Sequence, residues 1–381
     1  MVEKMNFYLY SPISFEKWDW RNSVEKGIGG SETSHVEMAW RLARRGHKVV
    51  TYTDIPDDCP GEWKGTKWYK LDQATFEEPG IWVIYRDPTA IDKFKPRFRK
   101  DQKVWLLMQD WDYPNWTDKR IKGFDSILAM CKWHARQLVS GYPAAKKNLW
   151  LNSNGLKIDL VEEIERESIK RSPKRIIYTS SPDRGLKPLL KSFKKAREFD
   201  PELELIATYG FDNIDVLIKN NPKSPYIKIK KEILELADQP GVTWKGRINQ
   251  PDLYRLWFSA GLWVYQTNFA ETSCISCMEA QAMGAIPIFS PVWAQGENIQ
   301  HGIPIYGEPE DPLTVTRFAA EIFKMANNPK LQETIRTEMM PWARKRYDWE
   351  NFVDLWEAKA KGEEYKLNYP EVMKEEEYVN W

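Results

Sequence analysis

Two successive runs in which short apolar segments alternate with helix-patterned segments predict an α/β protein: two doubly wound, Rossmann-like parallel-sheet domains facing across a cleft. Three observations carry the prediction. The apolar segments are followed by turn chemistry and then amphipathic stretches, as in strands covered by helices on both faces. The 381 residues exceed what one hydrophobic core usually serves. Between the two runs, Ile158 to Lys174 is charged, poor in apolar residues and ends in Ser172-Pro173, which is linker character. The expected domains are 1–165 and 166–345, with 346–381 a C-terminal helix and tail packing back toward the first domain.

The first domain opens with a strand over Met5 to Tyr10 and a long loop ending in Gly27-Ile-Gly-Gly30. A helix starts at Ser31, with Val36, Ala39, Leu42 and Ala43 on one face, and the strand Val49 to Tyr52 follows. Glycines let a backbone approach a ligand closely, so Gly29 and Gly30 ahead of a helix start are candidate phosphate or sugar contacts, although ordinary turns also use such pairs. Further strands are expected at Ile81 to Tyr85, Lys103 to Met108 and Ser126 to Met130. Gln109-Asp-Trp-Asp112 and Lys132 to Arg136 fall just past strand ends, where open α/β sheets bind ligands. That places Asp110 and His134 at the crevice, with capping or packing as the alternative for His134. Lys93 to Lys100 interleaves basic and aromatic residues; it is either a solvated face or a contact for a polyanionic acceptor.

The second domain begins with the strand Arg175 to Thr179, a Ser-Ser-Pro-Asp-Arg-Gly185 loop and a helix from Leu186 to Glu198. Strands follow at Leu203 to Ala207, Val242 to Trp244, Leu262 to Gln266 and Ile286 to Phe289, with helices at Gln250 to Phe258 and Ser273 to Met283. Arg184 follows a strand and can meet diphosphate oxygens; Lys245 and Arg247 follow another. From Asp311 the chain turns helical, and Tyr347 to Trp356 reads as a further amphipathic helix.

Composition excludes several classes. Lys plus Arg number 56 against 55 Asp plus Glu, so no global field recruits nucleic acid. No window approaches the ~18 uninterrupted apolar residues that cross a bilayer, and no apolar leader core stands at the amino end, which points to a cytoplasmic protein without a transmembrane segment. Cys59, Cys131, Cys274 and Cys277 are too few and scattered for a disulfide framework. The single C-x-x-C has no second pair or nearby histidine, so its cysteines read as small helix residues and no metal is expected. The 19 tryptophans either fill cores or form stacking platforms.

The stretch with the most chemistry is Phe269 to Phe289. Glu271 sits on the loop after a strand, and Glu279 lies about two turns into the helix that follows. A carboxylate accepts both hydroxyls of a vicinal diol, and a helix amino end offers N–H groups to an anion. Two such glutamates flanking that end suit a ligand with a diol on each side of a diphosphate; two solvated glutamates are the alternative.

With these residues the chain resembles the GT-B-fold glycosyltransferases of family 4, which are retaining and nucleotide-sugar-dependent. The resemblance rests on Gly27 to Thr33 leading into a helix, Arg45-Gly-His-Lys-Val-Val50, Asn154-Gly155, Asp183-Arg-Gly185, and above all Glu271 to Glu279 followed by Ala280-Gln-Ala-Met-Gly-Ala-Ile-Pro287. It implies that Glu279 holds the nucleotide ribose and Glu271 the donor-sugar hydroxyls. Thr272, Ser273, Cys274 and Ile275 line the donor between them, Arg184 neutralises the leaving diphosphate, and Gly29 and Gly30 close on the phosphates. It also implies a UDP- or GDP-linked donor, a hydroxyl acceptor, no cofactor, and same-face attack without a protein nucleophile, unlike retaining glycosidases. The chain departs from the family where Ser273-Cys274 replaces Phe-Gly, where Ser180 replaces a basic residue, and where Gln109-Asp110 replaces a histidine, which shifts expected diphosphate contacts to Lys245 and Arg247.

Two other readings stand beside it. Asp110 and Asp112 form a D-x-D that suits a metal-dependent GT-A-type transferase, which would lack a second alternating half. A non-catalytic carbohydrate- or nucleic-acid-binding protein would use its tryptophans for stacking. The acceptor stays open among glycan, metabolite, protein and a hydroxylated DNA base.

Overall fold

The computed structural model describes residues 4–111 and 115–365. They divide into two compact units, one of residues 4–111, 115–155, 271–273 and 348–365, the other of 156–270 and 274–347.

In the first unit the chain runs through β1 (Asn6–Ser11), α1 (Trp20–Glu25), α2 (Gly30–Arg44), β2 (Lys48–Thr53), β3 (Glu62–Trp63), β4 (Thr66–Lys70), β5 (Gly80–Tyr85), β6 (Gln102–Leu107), α3 (Asp118–Gly123), β7 (Ser126–Ala129), α4 (Lys132–Gly141) and β8 (Leu149–Leu151). The strands form one sheet in the order β3-β4-β2-β1-β5-β6-β7-β8, parallel except for the β3–β4 pair. β1 and β5 are buried beyond their first residue, as strands covered on both faces must be. Their aromatic content is core: Trp82 stacks on Tyr8 with ring centroids 4.8 Å apart and on Tyr52 at 5.7 Å.

The second unit contains α5 (Ile158–Glu165), β9 (Ser172–Tyr178), α6 (Leu186–Phe199), β10 (Glu204–Ala207), α7 (Asp212–Asn220), α8 (Tyr226–Ala237), β11 (Val242–Trp244), α9 (Gln250–Ser259), β12 (Ala260–Tyr265), α10 (Ile275–Met283), β13 (Ile286–Phe289), α11 (Gln295–Asn298), β14 (Ile303–Pro304), α12 (Pro312–Ala326) and α13 (Pro329–Arg346). Its sheet order is β11-β10-β9-β12-β13-β14, all parallel. This is the doubly wound arrangement in which the chain starts at the centre, winds to one edge and returns to wind the other way.

α14 (Trp349–Lys361) belongs to the first unit. Arg45 meets Glu350, Asp354 and Glu357, His47 Nε2 lies 2.7 Å from Glu357, and the Trp356 indole donates to Asn152 at 3.1 Å.

Two local expectations change. Residues 158–174 read as a charged linker, yet Ile158–Glu165 is helical, with Val161 and Ile164 buried three positions apart in the second unit's core. α10 starts at Ile275, not Ser273, because the Thr272 and Ser273 hydroxyls are used outside the helix: Thr272 donates to the Gln109 carbonyl at 2.8 Å and Ser273 accepts from the Asn154 N–H at 3.3 Å.

Candidate functional site

In the six-stranded sheet the winding direction reverses between β9 and β12, so the loops leaving their carboxyl ends part and open a crevice. Arg184 closes a short 3-10 turn after β9, and its guanidinium lies over the Phe269 ring of the β12 loop, 4.2 Å from the centroid. Gly185 makes this approach possible. Its φ is +129°, and a Cβ there would lie 2.5 Å from the Gln266 carbonyl oxygen, which leaves room for glycine alone. On the same edge Thr179 donates to the Ser276 hydroxyl at 2.8 Å, joining the β9 loop to the first turn of α10. Cys274 is the N-cap of α10 and makes no side-chain cap bond; its carbonyl accepts from the Cys277 thiol at 3.0 Å.

Glu279 sits on the buried face of α10 with 4% of its surface exposed, and the Trp257 indole donates to Oε2 at 3.1 Å. Burial pushes its carboxyl up to about 8, against the opposing pull of that indole and of Lys157. Glu271, on the β12–α10 loop, is also buried, at 8% exposed. Lys245 and Arg247 follow β11; Lys245 is exposed, while Arg247 lies 3.5 Å from Asp212 and over the Tyr209 ring. Arg184, on the loop after β9, is the cation placed at the switch point.

The eight-stranded sheet reverses its winding between β1 and β5, and its carboxyl edge carries a second polar cluster. Arg86, the first residue past β5, adopts φ +66° and grips Asp110 with two bonds, Nε at 2.7 Å and Nη2 at 3.1 Å. A bulky residue held in the left-handed region marks a place where the surroundings enforce a geometry. His134 is fully buried; its Nδ1 accepts from the Met130 N–H at 3.3 Å, and burial lowers its pKa to about 4 even though Asp110 favours the charged form. It is therefore neutral near pH 7. Gly29 is the N-cap of α2 at φ −63°, so no left-handed backbone is needed there. A Cβ at Gly29 would instead meet the Glu32 carboxyl, which folds back under the helix start. Burial raises the Glu32 pKa, opposed by its own N–H, Arg86 and the Ser31 hydroxyl.

The basic stretch Lys93 to Lys100 makes several contacts within the unit. Lys93 donates to the Tyr10 hydroxyl, Lys95 pairs with Glu77 and Arg99 with Asp125. Two of its five basic residues are thus paired with acids within the unit. Asp112 of the D-x-D alternative lies outside the described residues, and the second sheet contradicts the single alternating half of a GT-A architecture.

Sequence reasoning missed Arg86, Glu32 and Trp257. Arg86 and Glu32 were findable, as the first residue after an apolar strand and the acid in the first turn behind Gly29-Gly30. Trp257 lies on a separate helix, and nothing local points from it to Glu279.

Comparison with solved structures agrees with this architecture. The chain is similar to a glycosyltransferase from Rickettsia africae, with 13% identity, 94% of this chain and 98% of that chain covered, and a TM-score of 0.67. It is similar to sucrose-phosphate synthase from Thermosynechococcus elongatus, with 14% identity, 94% and 99% covered, and a TM-score of 0.68. It is similar to Anabaena HepE in complex with UDP-glucose, with 12% identity, 94% and 99% covered, and a TM-score of 0.64. No protein-family model and no curated protein matches the chain. At such identities the likeness is one of fold, and the fold is GT-B.

Proposed function

We propose that the protein is a retaining glycosyltransferase that moves a sugar from a nucleoside diphosphate sugar to a hydroxyl acceptor. The observation that carries the reading is the pairing, on one switch-point edge, of Arg184 on the β9 loop with a buried carboxyl, Glu279, in the helix after β12. Arg184 takes the charge that develops on the leaving diphosphate, so the chemistry calls for no metal. Glu279 accepts the ribose diol, and Glu271, eight positions earlier, accepts hydroxyls of the donor sugar. Thr272, Ser273, Cys274 and Ile275 line the connection between them. UDP is the first nucleotide to try, since the similar Anabaena protein was solved with UDP-glucose, and GDP the second.

The first unit's edge reads as the acceptor side. Asp110, oriented by Arg86, is the group to receive an acceptor hydroxyl, and neutral His134 supports it. Transfer with retention follows if the departing phosphate takes the acceptor's proton on the same face. Among the described residues no helix is long and apolar enough to cross a membrane, and the sequence's charge balance favours no polyanion, so a glycan, metabolite or protein hydroxyl comes before a DNA base.

The test is a panel of UDP- and GDP-sugars scored for protection against thermal unfolding, followed by nucleoside diphosphate release in the presence of chelator. A donor at about 100 times its Kd adds about 2.7 kcal/mol of stability. Protection by one donor, with release lost in Arg184→Ala, is the expected result; no protection by any nucleotide sugar overturns the reading.

A further inference from the structure

Among the described residues only two tryptophans are left exposed, Trp111 and Trp293, while the others are buried or half-buried. Trp293 lies on the loop after β13, at the carboxyl edge of the six-stranded sheet, and is 41% exposed. Its φ is +55°, a left-handed conformation that a bulky side chain adopts only against resistance. Glycine or asparagine would fill such a turn without strain and without setting an indole in water.

The surroundings hold this costly arrangement in place. The Trp293 indole donates to the Asn268 carbonyl at 2.9 Å, Thr267 N–H donates to the Ser290 hydroxyl at 3.1 Å, and Ser290 N–H donates to Tyr265 at 3.0 Å. The loops after β12 and β13 are thereby stapled together, and the indole is held by its N–H edge while 41% of the residue's surface stays exposed. Asn268 is followed in the chain by Phe269, whose ring carries the Arg184 guanidinium. A cation suited to a diphosphate and a partly exposed indole are thus attached to consecutive residues of one loop.

We propose that the Trp293 indole is a stacking wall for the pyranose ring of the donor nucleotide sugar, packing against the C–H face of the ring. The inference rests on the transferase reading and adds a sugar-selecting residue to it. In a nucleotide sugar the pyranose is bonded directly to the phosphate that Arg184 would meet, whereas the nucleobase is separated from it by the ribose that Glu279 would take. An aromatic surface beside the phosphate site therefore suits the sugar, and a pyranose offers such a surface apolar C–H groups that water solvates poorly.

Calorimetric titration of the full chain separates the possibilities. The probes are UDP-glucose, UDP-N-acetylglucosamine and GDP-mannose, each paired with its free nucleoside diphosphate, and the tightest-binding sugar nucleotide is carried into Trp293→Ala, Trp293→Phe and Trp293→Gly. In Trp293→Ala the sugar nucleotide should bind roughly tenfold more weakly, the size of one lost stacking contact. Free nucleoside diphosphate should change by less than about twofold, and Trp293→Phe should recover most of the loss. Trp293→Gly should unfold at the same or a higher temperature, because it relieves the left-handed strain while losing sugar affinity like alanine. Unchanged sugar-nucleotide affinity in Trp293→Ala overturns the stacking wall and leaves the transferase reading standing. Equal losses for sugar nucleotide and free nucleotide also overturn it, by moving the contact to the base. If the wild-type protein binds none of the probes, the transferase reading falls and the inference falls with it.

Discussion

Two glutamates in helices that follow switch-point strands, Glu32 in α2 and Glu279 in α10, have different surroundings. Glu32 folds back under the start of α2, where burial raises its pKa against the opposing pull of its own N–H, Arg86 and the Ser31 hydroxyl. Glu279 lies deeper, with one indole donor and a more distant lysine, and its carboxyl is pushed up to about 8. The contrast extends along both edges. In the first unit Arg86 is committed to Asp110 by two bonds, whereas in the second Arg184 rests on a ring and Glu279 keeps its proton at neutral pH. A first-unit ligand must compete with the two-bond pair that Arg86 and Asp110 already make, while a second-unit ligand bearing a diol offers hydroxyl donors to a Glu279 carboxyl whose donor is the Trp257 indole.

The sharpest way to break this comparison is to delete the cation on each side. Arg184→Ala should lower kcat by about 10²–10³-fold, the usual cost of losing one group aimed at developing charge. Next in size is Gly185→Ala. With φ at +129° and the Gln266 carbonyl 2.5 Å from the added Cβ, it should cost about 2 kcal/mol or more in chemical denaturation.

Much of this layout was legible in the sequence, and the reasons are local. Apolar runs such as Ile81 to Tyr85 announce strands, and the residues after them announce the binding edge, which is how Arg184 and Glu271 could be picked out. What escaped depends on long-range packing. Nothing near Glu279 in the sequence points to Trp257, 22 positions earlier, as its hydrogen-bond donor. The helix Ile158–Glu165 hides two core residues among charges, so composition made it look like linker. The sequence also did not announce that the carboxyl of Glu32, three positions on, folds back against Gly29, whose own φ of −63° any residue can adopt.

The raised Glu279 carboxyl has a direct signature in pH. Glu279 has a folded pKa of about 8, above the ordinary 4.5, so its contribution to stability is fully present below about 4.5 and is lost as pH rises through about 8. Glu279→Gln should therefore be least harmful to stability on the alkaline side. If the ribose diol binds the carboxylate, donor binding below about pH 8 must expel a proton, and affinity should rise by up to about tenfold per pH unit toward that value. Glu279→Gln should flatten the slope, and a flat wild-type profile would show that the diol is held elsewhere. The smallest expected effect belongs to the first unit. Arg86→Ala should raise the acceptor KM by about 3–10-fold through a less firmly held Asp110, leaving donor Kd unchanged. An equal effect on donor binding would erase the distinction between the two edges.

The central claim is that Glu279 holds the nucleotide ribose, and calorimetric titration of UDP into wild-type protein and Glu279→Gln at about pH 9, where the wild-type carboxyl is ionised, tests it most directly. Exchange of a carboxylate acceptor for an amide of the same shape should weaken UDP by about tenfold or more. Equal affinity in the two proteins would contradict the account.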